Sequence, residues 1–169
     1  MKKIVIFLIF LNFFFVKAKA EIAYIDINLI LNKSEVGIFL NNYVESVKKK
    51  ELSKYNEIEN ELIKKEKLLI EQQNILDKEE FQKRLKNLTN NVQKYRSDKK
   101  SSVDELNNLR MDKIKEILEV LNPIITQYVD LNSISIVLPK KNIIVGKKNL
   151  DITNQIIKLL NKKIKTLNF

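Results

Sequence analysis

The feature that most constrains this chain is a long stretch without helix breakers. Residues 38–130 contain no glycine and a single proline, Pro123, among dense charges of both signs. Mixed charges without glycine or proline are typical of long helices exposed to solvent. More than half of the chain is therefore expected to be helical.

A seven-residue repeat indicates how these helices pack. From Phe81 onward two repeat positions alternate in steps of four and three residues, and seven of the ten side chains are apolar. They are Phe81, Leu88, Tyr95, Ser102 and Leu109, with Leu85, Val92, Lys99, Leu106 and Lys113. A weaker stripe precedes them, formed by Tyr55, Ile58, Leu62, Leu69 and Leu76 and interrupted by Lys65 and Gln72. Both stripes are typical of one face of a coiled coil.

Between the stripes, Asp77 and Glu80 have the spacing of a helix-capping box. A helix that restarts there favours an antiparallel hairpin with its tip near residues 77–80. One continuous rod across residue 77 is the alternative.

Segments of strand-forming residues lie on both sides of the helical stretch. Residues 22–27 predict a strand, residues 28–32 a helical turn, and Gly37 a flexible junction. Residues 133–138 and 142–145 predict two further strands, ending at Gly146. Asp151 is expected to cap a final amphipathic helix, whose polar side is rich in lysine.

These features predict an α+β protein of two parts, a small β body and a long α-helical arm. Residues 21–37 and 131–169 would form the body, with residues 38–130 as the arm. A body with only three predicted strands has unpaired strand edges, and identical chains can pair these edges with each other. We therefore expect a homo-oligomer. The residues expected at that interface are Ile22, Tyr24, Ile27, Ile134, Ile136, Leu138, Ile143 and Val145.

Residues 1–20 read as a cleavable secretory signal peptide. Lys2 and Lys3 precede an apolar run at residues 4–16, and Ala18 and Ala20 form a small-x-small cleavage site. The run is shorter than the roughly 20 residues of a membrane-spanning helix. An uncleaved membrane anchor is the alternative.

Composition excludes most catalytic designs. The chain has no cysteine, no histidine and only two glycines. Thiolate or histidine chemistry, cysteine- or histidine-bound metals and glycine-rich phosphate loops are therefore not available. We expect no enzyme and no cofactor. Export and the interleaving of lysines with acids argue against nucleic acid as a partner.

The segments follow one another in a recognisable order: a signal peptide, a strand, Gly37, a charged hairpin, further strands, and a final helix that Asp151-Ile152-Thr153 begins. In this order the chain resembles the Skp (OmpH-like) periplasmic chaperone family. The resemblance implies a homotrimer in which three chains build one β-barrel body carrying three coiled-coil hairpin arms. It implies an ATP-independent holdase in the periplasm of a Gram-negative bacterium. That holdase would cage unfolded outer-membrane β-barrel proteins, its clients, between the arms. Lipopolysaccharide or anionic lipid is a further partner to test, but no equivalent of the family's lipopolysaccharide cluster is evident here.

Attraction between basic arms and acidic clients would speed capture. The basic candidates are Lys64, Lys65, Lys67, Lys83, Arg84, Lys86, Lys94, Arg96, Lys99 and Lys100, and the apolar ones are Val44, Val47, Leu68 and Ile70. Each basic residue could instead lie on a solvated helix face with (i, i+4) pairing, and each apolar one could pack inside the hairpin. A structural coiled-coil envelope protein and a lipid-surface protein using the basic C-terminal helix are the alternative functions.

Overall fold

The computed structural model describes residues 21–169, so the predicted signal peptide and its cleavage residues Ala18 and Ala20 lie outside the described residues. The chain is mostly helical, with one small sheet. Its elements are β1 (Glu21–Ile25), α1 (Ile27–Lys33), α2 (Glu35–Glu71), α3 (Lys78–Leu131), β2 (Ile134–Pro139) and α4 (Thr153–Lys163), with short 3-10 turns at Lys140–Asn142 and Lys148–Leu150.

Helices α2 and α3 pack side by side as an antiparallel hairpin. Glu51 accepts a hydrogen bond from Ser102 at 3.0 Å, while Gln72, much nearer the tip, accepts one from Arg84 at 3.0 Å. Later residues of α2 thus meet earlier residues of α3. At the tip, the Asp77 carboxylate accepts a hydrogen bond from the Glu80 backbone N–H at 2.8 Å and caps α3. The alternative of one continuous rod is therefore wrong.

The seven-residue repeat marks the surface between the two helices. Tyr55, Leu62 and Leu69 of α2 are buried, and Tyr55 meets Tyr95 of α3 edge to face with ring centroids 6.0 Å apart. The repeat positions of α3 are half-buried, except Leu85, which is 39% exposed. Lys65 interrupts the α2 stripe and is exposed. The hairpin is consequently closed by a narrow apolar seam.

The hairpin returns the chain to its starting point, where β1 and β2 pair in parallel. Ala23 of β1 and its partner Val137 of β2 pack on the core side, whereas Ile22 and its partner Ile136 point to the other side and are about half exposed. On the opposite edge of β1, the Ile152 backbone N–H donates to the Tyr24 carbonyl at 3.0 Å. Strand β1 is therefore flanked on both edges, while β2 has no second strand partner within residues 21–169.

One apolar core lies at the root of the hairpin. It joins β1, α1, the first turns of α2, the last third of α3, α4 and the C-terminal tail. Its buried residues are Ala23, Ile25, Ile30, Val36, Leu40, Ile117, Leu121, Ile152, Ile156, Leu160 and Leu167. Asp151 was expected to cap α4, but the helix begins at Thr153 and its N-cap residue is Ile152. Asp151 lies one residue further out, where its carboxylate accepts the Thr153 backbone N–H at 3.0 Å.

The expected second strand at residues 142–145 is wrong. The segment lies between two 3-10 turns and forms no ladder, and Ile144 and Val145 are 100% and 90% exposed. Its β-branched composition suits a strand, but a strand also needs a partner edge. Both edges of β1 are occupied, one by β2 and the other by Asp151 and Ile152. Residues 142–145 do not pair with the remaining edge, that of β2, within the described chain.

The expected flexible junction at Gly37 is also wrong. Gly37 lies buried in the first turn of α2, and its backbone N–H donates to the Ser34 side chain at 3.2 Å. A Cβ atom here would overlap the backbone carbonyl of Leu31. The glycine therefore permits close packing of α1 against α2 instead of bending the chain.

We expect Gly37→Ala to destabilise the protein. Glycine to alanine inside a helix ordinarily stabilises by about 1 kcal/mol, but here the added methyl group collides with backbone, which we expect to cost about 1–3 kcal/mol. Urea unfolding followed by circular dichroism measures the change. Asn42→Ala, at an exposed position of the same helix, is the control. Increased stability in Gly37→Ala would contradict this packing argument.

Candidate functional site

The ten basic candidates divide into two groups. Arg84 pairs with Glu80 at 2.8 Å, Lys94 with Asp98 at 2.7 Å, and Lys99 with Glu59 at 3.4 Å. The other seven are exposed and form no ion pair within the described residues: Lys64, Lys65, Lys67, Lys83, Lys86, Arg96 and Lys100. Three of the candidates thus help to hold the arm, and seven leave their charge to solvent.

The four apolar candidates also divide. Val44 packs against the core at the hairpin root, and Val47 is half-buried in a groove with Tyr55 and Leu106. Leu68 and Ile70 are 55% and 63% exposed. The first two therefore serve packing, and only the second pair is exposed enough for a partner to contact.

Three exposed apolar residues on α2 were not identified from the sequence: Ile38 near the root, Leu52 and Ile63. Leu52 and Ile63 are 52% and 55% exposed, and they lie within about 20° of Ile70 around the helix axis. Ile63 borders a groove of about 500 Å³ between α2 and α3, which Leu85 and Val92 also line. The spacing of 11 and then 7 residues, outside the seam, is the signal that could have identified this stripe.

A polar tie crosses the hairpin at mid-height. Tyr95 donates to the Glu59 carboxylate at 2.5 Å, and the Lys99 ammonium donates to the Tyr95 hydroxyl at 2.8 Å. The hydrogen bond from Tyr95 and the charge of Lys99 lower the pKa of Glu59, and the pKa of Lys99 is raised by its bond to Tyr95 and by the charge of Glu59. Lys99, a polar position in the repeat of α3, thus extends across the seam to Glu59 of α2.

The residues expected at an oligomer interface occupy three different environments. Ile22, Ile136, Leu138 and Val145 are exposed. Tyr24 is buried by its own chain, with its hydroxyl donating to the Lys147 carbonyl at 3.3 Å, and Ile27 and Ile134 pack against the core. Ile143 is half-buried. Ile22, Ile136 and Leu138 thus leave an apolar surface on the outer face of the sheet, and Ile144 and Val145 are exposed in the segment after β2.

Helix α4 uses its apolar side within the protein. Ile156 and Leu160 are fully buried in the core, so the surface left to solvent carries Lys158, Lys162 and Lys163. Insertion of this helix into a bilayer would require its undocking. In the part of the chain that the structure describes, no helix combines the length and apolar character needed to span a membrane.

Comparisons with known proteins agree with this architecture. The family model described as "Outer membrane protein (OmpH-like)" matches residues 21–160. The fold is similar to the crystal structure of a candidate OmpH-like outer membrane chaperone from Caulobacter crescentus CB15, with a TM-score of 0.81 and 15% sequence identity over 89% of each chain. The search of curated proteins gave no match.

The polar tie predicts a pH-dependent contribution to arm stability. Because the folded-state pKa of Glu59 is lowered, its contribution is present above the ordinary carboxyl pKa and is lost as the pH falls through the folded value. We expect Glu59→Gln to lower the thermal midpoint slightly at pH 7, since the pair is exposed, and this difference to vanish in acid. Thermal unfolding at both pH values measures it. Glu57→Gln, exposed on the same helix, should change neither value; an acid-insensitive difference would contradict the assignment.

Proposed function

We propose that this chain, which belongs to the OmpH-like outer membrane protein family, is an ATP-independent periplasmic holdase chaperone. In this function it keeps unfolded outer-membrane proteins soluble by caging them between helical arms until they insert into the membrane. Localisation follows from the family and from the signal-like residues 1–20.

The observation that carries the proposal is a long hairpin standing on a packed root. From Leu40 in the core to the tip at Asp77, α2 and the turn after it span roughly 50 Å at the helical rise per residue. Most of that length is charged and solvated, with only a narrow seam between its helices. Such an arm can border a large space without forming a defined pocket, which suits a client that has no fixed shape.

The sheet supports assembly into a homotrimer with a shared β-barrel body. The free edge of β2 offers backbone hydrogen-bonding groups, and the apolar outer face around Ile136 and Leu138 lies beside it. An open edge next to an apolar face is unfavourable in water and is stabilised by pairing with another copy. Ile144 and Val145, exposed in one chain, would be covered in the same contact. Three copies would then hold three arms around one cavity.

The charge distribution supports client capture. Seven of the ten basic candidates leave positive charge in solvent. Five of them lie in the outer part of the arm, at positions 64–67 and 83–86, short of the tip itself, where Asp77, Glu79 and Glu80 outnumber Lys78. Attraction toward acidic clients would raise the association rate and would weaken with salt.

The alternatives receive less support. A structural envelope protein would not need unpaired basic residues or exposed aliphatic residues along its arms. A lipid-surface protein would need an apolar helix face free to insert, and that of α4 is packed in the core. Flotation of the mature protein with anionic liposomes separates that function from the proposed one.

The client for this test is an outer-membrane β-barrel protein diluted out of urea. We expect the mature protein, without ATP, to keep it soluble at trimer concentrations from substoichiometric to equimolar with the client. The measurement is turbidity and sedimentation of the client, at low and at high salt. Protection should be slower to establish at high salt, because capture is electrostatically steered. Precipitation as fast as in buffer alone would remove the chaperone function.

We expect Ile136→Asp to shift the protein from trimer toward monomer, because a carboxylate on the covered apolar face would be buried without a partner. Multi-angle light scattering measures the mass. Leu68→Asp is the matched control, since Leu68 is 55% exposed against 53% for Ile136 but lies on the arm. A wild-type protein that is monomeric at micromolar concentration, or an Ile136→Asp protein that stays trimeric, would contradict the assignment of this face.

A further inference from the structure

The two sides of the hairpin differ in the number of exposed aliphatic residues that α2 presents, with Leu52, Ile63 and Ile70 on one side and Leu68 on the other. One side bears the groove between Ile63 of α2 and Leu85 and Val92 of α3, with Thr89 beside them. Ile70 continues the apolar line toward the tip, about 10 Å beyond Ile63 along the helix. Leu68, five residues after Ile63, lies about 140° away around the helix axis, on the other side.

That other side presents fewer exposed aliphatic residues of α2. Its groove, of about 370 Å³, is bordered by Leu68, Leu69 and Leu88 and by Lys65, Gln72, Arg84, Asn87 and Asn91. Arg84 donates to Gln72 across it at 3.0 Å, so part of its hydrogen-bonding capacity is already used within the hairpin. Leu68 is the one α2 residue on this side whose exposed aliphatic surface a partner could contact.

We propose that the groove side of each arm, defined by Ile63, Ile70, Leu85 and Val92, is the surface that contacts clients. It takes short extended segments in which apolar and polar residues alternate. This inference rests on the proposed holdase function and goes beyond it by separating Ile70 from Leu68.

The dimensions of the surface select this occupant. From Glu59 at one end of the groove to Ile70 the helix rises about 16 Å, which an extended chain spans in about five residues. Alternate side chains of a strand point to the same side, so such a segment presents three side chains to the groove. Polar side chains between them would meet the charged borders, where Glu66 lies on α2 and Arg96 on α3.

A neighbouring helix fits the surface less well. Helix packing needs apolar residues every three or four positions, whereas Leu52, Ile63 and Ile70 are 11 and 7 residues apart. Isolated aliphatic residues on a charged background favour many weak contacts with an extended chain over a continuous interface with a second arm.

Site-specific photo-crosslinking tests the inference. p-Benzoylphenylalanine replaces Ile63, Ile70 or, as control, Leu68, which has the same 55% exposure as Ile63. The probe is a urea-diluted outer-membrane β-barrel protein, competed by a peptide of alternating valine and serine or by one of equal composition with contiguous valines. We expect client adducts at positions 63 and 70 to exceed those at 68 severalfold, and the alternating peptide to compete better.

Two results would overturn the inference: equal adducts at positions 63 and 68, or adducts at position 63 that join arm to arm when client is present. The turbidity assay on the unmodified protein tests the holdase function by itself, because it contains no crosslinking residue. If the unmodified protein keeps the client soluble while the crosslinking result is negative, only the assignment of the client-contacting side is wrong. As a second readout, Ile63→Ser should weaken client affinity severalfold and Leu68→Ser less than twofold. An equal effect of the two substitutions would also overturn it.

Discussion

The architecture depends on the closure of the hairpin at its root. Ile117 and Leu121 of α3 and Ile156 and Leu160 of α4 have no exposed surface, and each contributes on the order of 1.5–3 kcal/mol by burial. This contact returns α3 to β1 after the excursion through the tip, and β2 can pair with β1 only because of it. The open edge of β2 and the apolar outer face of the sheet follow from the same closure.

Packing is tighter at the root than along the arm. Several large core residues at the root have no exposed surface, whereas the seam residues Tyr55, Leu62 and Leu69 keep a small exposed fraction and their partners on α3 are only half-buried. Segments with fewer buried contacts open at lower free energy than the rest of a structure. The arm can therefore deform while the base stays intact, and the polar tie at Glu59 and Tyr95 stabilises its middle. In the proposed function, this gradient lets one base accommodate clients of different size.

The features that could be predicted from the sequence are those set by residues close together in the chain. The seven-residue repeat and the Asp77 cap depend on neighbours within a few turns, and both correspond to the observed contacts. The role of Gly37 was predicted wrongly. A glycine is needed there because the Leu31 backbone carbonyl packs against it. The sequence does not show that contact, so the glycine suggested a flexible junction. The segment at residues 142–145 was predicted wrongly because strand composition does not reveal whether a segment is placed against the edge of another strand. Leu68 and Ile70 were grouped together, although the helical repeat places them about 160° apart around the axis of α2. The position of α3 then shows which groove each of them borders.

A holdase without a nucleotide cycle must bind many clients and release them without an external energy source. One strong pocket would oppose release, whereas half-exposed aliphatic residues each gain only part of the burial free energy of a core residue. The arm offers such residues singly, at Leu52, Ile63 and Ile70, beside basic residues that attract at long range but contribute little at contact in solvent. In the proposed trimer, the sum over three arms would be large while each contact exchanges rapidly. Retention would then depend on enclosure, and release on the client finding a more favourable environment in the membrane.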